Sequence, residues 1–277
     1  MTKLAAIQMA SGSNVDANLM EAKKLIGDAA KAGAKLVVLP ENFALMPHKD
    51  ADKLDIAEAD GSGKIQTFLS EQAKKRGIWL VGGTIPVQSP EQDKVYATSY
   101  VYDAQGEVQG RYDKIHLFDA NLISHAVGED ASKEAYFESK TTYPGDAIQV
   151  IDTPFGKLGI AVCYDLRFPE LFRQLHKQGV EFIAIPSAFT AITGRAHWEV
   201  LVRARAIENL CYIVAAAQGG YHTCGRETYG DSMVVDPWGI VLDRKQKGNG
   251  FVIAEIDPDK QESIRRNLPV DKHRRLG

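Results

Sequence analysis

Lys157-Leu-Gly-Ile-Ala-Val-Cys163, followed by Tyr164-Asp-Leu-Arg-Phe-Pro-Glu-Leu-Phe-Arg-Gln-Leu-His176, is the stretch that decides the fold. Its apolar first half predicts a strand that ends at Cys163, and its second half predicts a helix that Gly179 stops. A strand-to-helix elbow lifts its first side chain clear of the sheet, which makes Cys163 a candidate nucleophile. A buried core residue is an equally common role for a free cysteine, so other segments must decide.

Two further apolar segments end on an ionisable residue. Residues 36–39 predict a buried strand that leads to Glu41, and an alternating stretch that starts at residue 107 leads to Lys114. Taken singly, Glu41 would be a solvated loop acid and Lys114 a surface lysine. Because ligands bind at the carboxyl ends of strands in open α/β sheets, we expect both residues to share one site with Cys163.

Composition favours small-molecule chemistry in one domain. The chain has 277 residues, 44% of them hydrophobic, which is enough for one large core, so we expect a single domain over 1–277. The net charge of -3 comes from interspersed acids and bases, so we expect no nucleic-acid partner and no membrane surface. The first residues lack the apolar run of a signal peptide, and we expect a cytoplasmic protein.

The three cysteines, at positions 163, 211 and 224, show neither metal-binding spacing nor a disulfide pattern. Cys211 lies in an apolar run and is expected in the core, and Cys224 is expected to be a loop thiol. The seven histidines include no pair with metal-ligand spacing. We therefore expect no bound metal and a reduced, usable thiol at Cys163.

Helix and strand signals predict an α/β fold. Residues 14–32 and 62–76 predict helices, and the second is followed by a strand over 78–85. Turn residues at 103–106 and 153–156 predict antiparallel hairpins. Strand-helix units mixed with hairpins favour an α-β-β-α layered sandwich, with two mixed sheets flanked by helices.

Two segments stand apart from this pattern. Residues 119–137 are long and polar, which is typical of a lid over a site or of a plain exposed loop. Residues 258–277 are expected to form a C-terminal helix and tail.

The segments around the ionisable residues resemble the catalytic motifs of the nitrilase superfamily of carbon-nitrogen hydrolases. Leu-Pro-Glu41 matches the setting of the family's general base, Tyr-Asp-Lys114-Ile-His that of its lysine, and Val-Cys163-Tyr-Asp-Leu-Arg-Phe-Pro-Glu that of its nucleophile. Glu138 matches a second glutamate that supports the lysine. The likeness covers nearly the whole chain, and it implies the same layered fold and a homodimer or larger assembly.

Within the superfamily the chain is most similar to Nit-type amidases of the deaminated-glutathione amidase branch, as in Ser187-Ala-Phe-Thr190. It departs from them at Asp231, where relatives usually have histidine. Arg195 stands where many eukaryotic relatives have proline, next to a helix predicted from about 196 to 209, and we expect it to affect the helix start.

The resemblance assigns roles to these residues. Glu41 would take the thiol proton and later protonate the leaving nitrogen, while Lys114 and the backbone amide of Tyr164 would form an oxyanion hole. Glu138 would hold Lys114 and keep it charged. Because two carboxylates outnumber one ammonium, we expect Cys163 to rest as a neutral thiol.

The implied reaction converts a primary amide of a small carboxylic acid to acid and ammonia through a thioester, without a cofactor. The favoured substrate is deaminated glutathione, which would give 2-oxoglutarate and cysteinylglycine, with contacts from Tyr164, Phe189 and Thr190. The alternatives are ω-amidase action on 2-oxoglutaramate or succinamate, and a catalytically silent scaffold. A papain-like pairing of Cys163 with His116 is disfavoured, and His116 is expected to be structural.

Overall fold

The chain is described by a computed structural model over residues 2–123 and 133–275. Its strands are, in chain order, β1 (Thr2–Gln8), β2 (Leu36–Val38), β3 (Trp79–Val81), β4 (Ile85–Gln88), β5 (Val95–Tyr102), β6 (Val108–Asp113), β7 (Asp119–Ile123), β8 (Lys133–Phe137), β9 (Val150–Thr153), β10 (Gly156–Ile160), β11 (Phe182–Ser187), β12 (Tyr212–Ala217), β13 (Gly219–Tyr221), β14 (Glu227–Tyr229), β15 (Ser232–Val235), β16 (Val241–Lys245) and β17 (Gly250–Ile256).

The α-helices of the same residues are α1 (Val15–Lys31), α2 (Asp52–Asp55), α3 (Lys64–Arg76), α4 (Pro169–Lys177), α5 (Ala191–Asn209) and α6 (Pro258–Asn267). Two 3₁₀ turns, Glu138–Lys140 and Cys163–Arg167, carry predicted site residues at their first positions.

Two mixed sheets form the centre of the fold. The first has the order β17-β1-β2-β3-β5-β4, with β6 also paired to β5, and the second has the order β16-β15-β12-β11-β10-β9. In each sheet three central strands are parallel, β1-β2-β3 and β10-β11-β12. Antiparallel strands flank them on both sides. The strand-helix units predicted from the sequence therefore form the centre of each sheet, and antiparallel pairs form its edges.

The sheets pack face to face, and the alternation of side chains along β1 explains how. Leu4 and Ala6 belong to the core between the sheets, and Ala5 and Ile7 belong to the core beneath α1 and α3. Successive side chains of a strand point to opposite faces, so a strand covered on both sides is apolar throughout. This arrangement is the predicted α-β-β-α layering.

Helix α1 shows why these outer helices form. Asn14 caps it by accepting a hydrogen bond from the backbone N–H of Ala17, and a buried stripe that includes Leu19 and Ile26 faces the first sheet. Gly77, in a left-handed conformation with φ of 61°, ends α3 at the predicted residue.

The elbow at Cys163 differs in detail from the prediction. Strand β10 ends at Ile160 rather than at Cys163, a 3₁₀ turn follows, and α4 begins only at Pro169. Proline lacks an N–H and is tolerated in the first helical turn but not in the interior, and the residue before it, Phe168, is extended. Pro169 therefore divides the predicted helix into a tight turn and a separate helix.

The strand predicted over 78–85 is also divided, into β3 and β4. Gly83 between them has a φ of 60°, and a Cβ at this position would lie 2.2 Å from the carbonyl oxygen of Pro40. Only glycine allows the backbone to pass so close to the loop that carries Glu41.

The described ends of the segment 119–137 are strands rather than loop. Strands β7 and β8 pair antiparallel, and the rings of Phe118 and Tyr136 pack 5.1 Å apart at its base. Its polar residues gave no apolar alternation from which strands could be predicted. The rest of the predicted lid, residues 124–132, lies outside the described residues.

The C-terminal helix α6 lies against the second sheet. Asp257 caps it by accepting from the N–H of Lys260, and the side chains of Gln261 and Arg265 both donate to the carbonyl oxygen of Leu210. Leu210 is the C-cap of α5, so these bonds from α6 satisfy a carbonyl oxygen that has no partner within its own helix.

Leu36 tests the packing between the sheets. It is fully buried in the core between them, so truncation to alanine leaves a cavity that costs about 2–5 kcal/mol of unfolding free energy. Leu242→Ala is the matched control, since Leu242 is 38% exposed. We expect urea denaturation to show the loss for Leu36→Ala alone, and equal losses for both variants would contradict this packing.

Candidate active site

Two strand ends and two 3₁₀ turns place the predicted residues together. Lys114 directly follows β6, Glu41 lies three residues after β2, and Glu138 opens the turn after β8. The ammonium of Lys114 donates to Glu41 Oε1 at 2.8 Å and to the two carboxylate oxygens of Glu138 at 3.0 and 2.8 Å. Cys163 borders the same cleft.

Lys114 is held as a cation inside the protein. Its side chain is 2% exposed, and burial by itself would lower the pKa of the ammonium, but Glu138 and Glu41 outweigh this and raise the pKa well above its ordinary value. Burial by itself would raise the pKa of Glu138, but Lys114, together with Lys53 and the backbone N–H of Phe118, outweighs this and lowers the pKa. Lys114 can therefore donate hydrogen bonds but cannot act as a base.

Cys163 sits in a strained backbone conformation. Its φ is 46°, in the left-handed region that residues other than glycine seldom adopt. The side chain of Asp165 helps to hold the elbow by accepting from the N–H of Val162 at 2.8 Å.

Asp165 is a site-shaping residue that the sequence reasoning missed. Fully buried, it accepts from the Tyr112 hydroxyl at 2.7 Å and from the N–H of His116 at 3.0 Å, so it ties the elbow to the strand that leads to Lys114. The ring of His116 bonds the same carboxylate at 2.7 Å and stacks on Phe168 at 3.7 Å. His116 therefore has the structural role expected of it.

Electrostatics keep the Cys163 thiol neutral. Burial raises its pKa well above the ordinary value, and the carboxylate of Glu41, which borders the same cleft, raises it further. Lys114 and the backbone N–H of Ala188 act in the opposite direction but do not compensate. The direction agrees with the neutral resting thiol predicted from the charge count.

Two clefts meet at Cys163. One, of about 420 Å³, also contains Glu41, Lys114 and Glu138. The other, of about 210 Å³, contains the predicted substrate residues Tyr164, Phe189 and Thr190. A substrate carbonyl at the sulfur would therefore face one cleft on either side.

The predicted substrate residues differ in what they can still bind. The Thr190 hydroxyl caps α5 by accepting a hydrogen bond from the backbone N–H of Thr193. It also forms a hydrogen bond of 2.8 Å with the hydroxyl of Thr193. Phe189 is 4% exposed and packs on Trp198, with ring centroids 5.0 Å apart. Tyr164 is half-buried, so its ring is the most accessible of the three.

Arginines at the clefts were not predicted. Arg226, between β13 and β14, borders the larger cleft, and Arg167 borders the smaller one. No local pattern identifies Arg226, because its hairpin reaches the cleft only through the tertiary fold. Arg167 lies in the quoted elbow segment, where its position four residues after Cys163 was an available signal.

Other kinds of site find no support in residues 2–123 and 133–275. No group of three or more histidine, cysteine, aspartate or glutamate side chains there could hold a metal ion. No helix in those ranges is both long and apolar enough to cross a bilayer.

Comparison with known proteins identifies the family. The sequence profile described as Carbon-nitrogen hydrolase matches residues 3–266. The chain belongs to the carbon-nitrogen hydrolase family. It is 41% identical to a protein of Yersinia enterocolitica named deaminated glutathione amidase, over 99% of this chain and 93% of that protein. It is 40% identical to the Homo sapiens protein of the same name, over 98% of this chain and 82% of that protein.

A solved structure supports the same assignment. Saccharomyces cerevisiae Nit3, described as a member of branch 10 of the nitrilase superfamily, superposes on this hydrolase with a TM-score of 0.86 at 36% identity. The alignment covers 99% of this chain and 97% of Nit3. The predicted superfamily, the layered fold and the class of hydrolase acting on carbon-nitrogen bonds other than peptide bonds are confirmed.

Asp231, the departure from relatives, serves the hydrolase's framework. Its carboxylate accepts two hydrogen bonds from Arg244, at 2.6 and 2.7 Å, and Arg244 also pairs with Glu199 on α5 at 3.0 Å. The backbone oxygen of Asp231 accepts from the indole N–H of Trp198. This set of bonds fastens α5 to β15 and β16.

Arg195 does not lie at the start of its helix. The predicted start near residue 196 was wrong, because Thr190 caps α5 and the helix begins at Ala191. Arg195 is therefore inside the second turn, where its effect on the helix start is small.

The pH dependence of alkylation tests the state of the thiol. Since its pKa is raised, we expect iodoacetamide to react slowly with Cys163 up to the ordinary cysteine pKa of about 8.5 and faster only above it. Glu41→Gln removes a negative charge beside the sulfur and shifts the profile to lower pH. Peptide mass spectrometry would follow Cys163 apart from Cys211 and Cys224.

Glu71→Gln, on the exposed face of α3, is the control for charge loss and keeps the wild-type profile. Half-maximal alkylation below neutral pH in the wild type, or an unshifted profile in Glu41→Gln, would show that the charges do not act on sulfur as described.

Proposed function

We propose that this hydrolase is a cysteine-dependent amidase whose substrate is deaminated glutathione. The observation that carries the chemistry is the fixed ammonium of Lys114 between Glu41 and Glu138, beside the neutral thiol of Cys163. Two relatives about 40% identical over nearly the whole chain are named for this substrate.

The first step is attack by Cys163. Its sulfur bonds to the amide carbonyl carbon while its proton passes to Glu41, whose carboxylate is within reach. The negative charge that forms on the carbonyl oxygen is stabilised by the Lys114 ammonium and the backbone amide of Tyr164. Glu138 positions Lys114 for this task and keeps it protonated.

Glu41 then serves the other half of the reaction. It returns its proton to the amide nitrogen, the carbon-nitrogen bond breaks, and the acyl group remains on sulfur as a thioester. Water loses a proton to Glu41, its oxygen bonds to the thioester carbon, and the carboxylic acid leaves as sulfur regains a proton. Overall, amide and water give acid and amine.

Atom balance corrects one detail of the expected reaction. The products 2-oxoglutarate and cysteinylglycine together account for every nitrogen of deaminated glutathione. The bond cleaved is therefore a secondary amide, and the leaving group is the amine of cysteinylglycine rather than ammonia. Ammonia leaves only from a primary amide such as 2-oxoglutaramate.

The smaller cleft suits the 2-oxoglutarate part. Arg167 borders it, with its guanidinium 5.0 Å from the ring centroid of Phe189 and 5.9 Å from that of Tyr164. Burial lowers the pKa of Arg167. Its guanidinium contacts the ring of His197 at 3.2 Å, and no ion pair with a carboxylate forms among the described residues. A substrate carboxylate would supply an anionic partner.

Assembly and location complete the proposal. We expect a homo-oligomer, supported by four exposed apolar side chains on α5 and the turn between β15 and β16: Val200, Ile207, Trp238 and Ile240. We expect a cytoplasmic enzyme, because a reducing compartment preserves the thiol on which the mechanism depends.

Cys163 is the first test. We expect Cys163→Ala to lower turnover of deaminated glutathione by at least about a thousandfold, because no other group can form the thioester. Cys224→Ala, which removes a half-buried thiol outside both clefts, is the control and retains activity. Acid quench during wild-type turnover should trap an acyl adduct on the Cys163 peptide.

A silent scaffold would form no adduct and release no product. Full turnover by Cys163→Ala would instead show that the acyl group is never carried on this sulfur.

The products distinguish deaminated glutathione from the ω-amide substrates. We expect kcat/KM for deaminated glutathione to exceed that for 2-oxoglutaramate and succinamate by at least about tenfold, the scale of one charged hydrogen bond. Thiol detection of cysteinylglycine follows the first reaction, and ammonia release follows the other two. The reverse order would assign the enzyme to ω-amides.

A further inference from the structure

The direction of the substrate follows from where Glu41 lies. This inference depends on the proposed amidase mechanism, in which Glu41 protonates the departing nitrogen. Glu41 borders the larger cleft and is absent from the lining of the smaller one. The amine must therefore leave into the larger cleft, while the acyl chain lies in the smaller cleft beside Phe189.

Arg226 lies in the cleft into which that amine would leave. It borders the larger cleft together with Cys163, and its guanidinium lies 5.0 Å from the ring centroid of Tyr136. Stacking on a ring keeps the planar group in one orientation and leaves its edge available for hydrogen bonds. The Tyr136 hydroxyl is itself fixed by donating to Glu134 at 2.8 Å.

The bonding of Arg226 is incomplete. Within the part of the chain that the structure describes, no carboxylate pairs with it, and its buried Nε has no hydrogen-bond partner. Lys114, the fully buried cation of the same cleft, is already bonded to two carboxylates. Arg226 is thus a fixed guanidinium beside the leaving-group path with donors to spare.

We propose that Arg226 binds a free carboxylate on the departing amine, so that the enzyme selects amides whose leaving group is an amino acid or short peptide. A guanidinium fork matches a carboxylate with two parallel hydrogen bonds, which a neutral amide terminus cannot reproduce. Arg226 is a specificity-determining residue in this account and takes no part in bond cleavage.

The test compares two substrates that differ only in this group: the γ-amide of 2-oxoglutarate with cysteinylglycine, and the same compound with cysteinylglycinamide. We expect wild-type kcat/KM to favour the free acid by about tenfold or more, and Arg226→Gln to remove most of that preference. Arg226→Lys should retain part of it, because it keeps the charge but not the fork.

Two further variants serve as comparisons. Arg266→Gln changes an exposed arginine of α6 and should keep the wild-type ratio. Lys53→Gln removes the third cationic side chain of the same cleft, besides Lys114 and Arg226. A loss of preference in Lys53→Gln but not in Arg226→Gln would overturn the assignment. Because both substrates are measured on one preparation, the ratio does not depend on the folded fraction of a variant.

The outcomes separate this inference from the proposed function. Hydrolysis of neither compound by the wild type would refute the amidase proposal itself. Hydrolysis of both with equal efficiency, or a ratio unchanged in Arg226→Gln, would overturn the role of Arg226 and leave the amidase proposal standing.

Discussion

The buried ion pairs of Lys114 are the interaction on which the site depends. They join three distant parts of the chain: the end of β6, the loop after β2 through Glu41, and the turn after β8 through Glu138. A buried charge is tolerable only when it is paired, and removal of one partner typically costs about 3–5 kcal/mol. The fold must therefore bring these segments together for Lys114 to be buried at all. The ion pairs of the Lys114 ammonium therefore both stabilise the interior and fix the positions of Glu41 and Glu138 in the site.

This arrangement also sets the path of the proton. Burial raises the pKa of Cys163, and the carboxylate of Glu41 raises it further, more than Lys114 lowers it. In the proposed mechanism the thiolate therefore forms only as the sulfur attacks, with the proton moving to Glu41. The same carboxylate would then hold a proton where the leaving nitrogen needs one. The strained elbow, with φ of 46° at Cys163, places the sulfur in the cleft that Glu41 and Lys114 also border. Asp165 holds the elbow by accepting a hydrogen bond from the N–H of Val162.

Much of the fold could be predicted because local patterns and tertiary structure agree. The apolar strands, the Asn14 cap and the glycine end of α3 are each encoded within a few residues. The convergence of Glu41, Lys114 and Cys163 could be predicted from strand ends. Contacts made only by the tertiary fold could not: Asp165 gains its role from Tyr112 and His116, which are about 50 residues away in the chain. Strands β7 and β8 lacked an apolar pattern, and Arg226 reaches the cleft on a hairpin whose sequence gives no sign of it.

The proposed mechanism assigns selectivity and chemistry to different parts of this hydrolase. Glu41, Lys114 and Cys163 follow strands of the two large sheets, whereas Arg226 lies on the separate two-stranded hairpin of β13 and β14. His222 fixes that hairpin: its ring bonds the backbone oxygen of Ser11 at 2.8 Å and the Thr228 hydroxyl at 2.7 Å. Burial lowers the pKa of His222, so the ring stays neutral, with one nitrogen donating to the carbonyl and the other accepting from the hydroxyl. The backbone N–H of His222 donates in turn to the carbonyl of Arg226 at 2.9 Å. Ser11 in turn bonds the side chain of Gln218, which donates to the backbone oxygen of Glu41 at 3.1 Å, so the hairpin that carries Arg226 and the loop that carries Glu41 share one anchor.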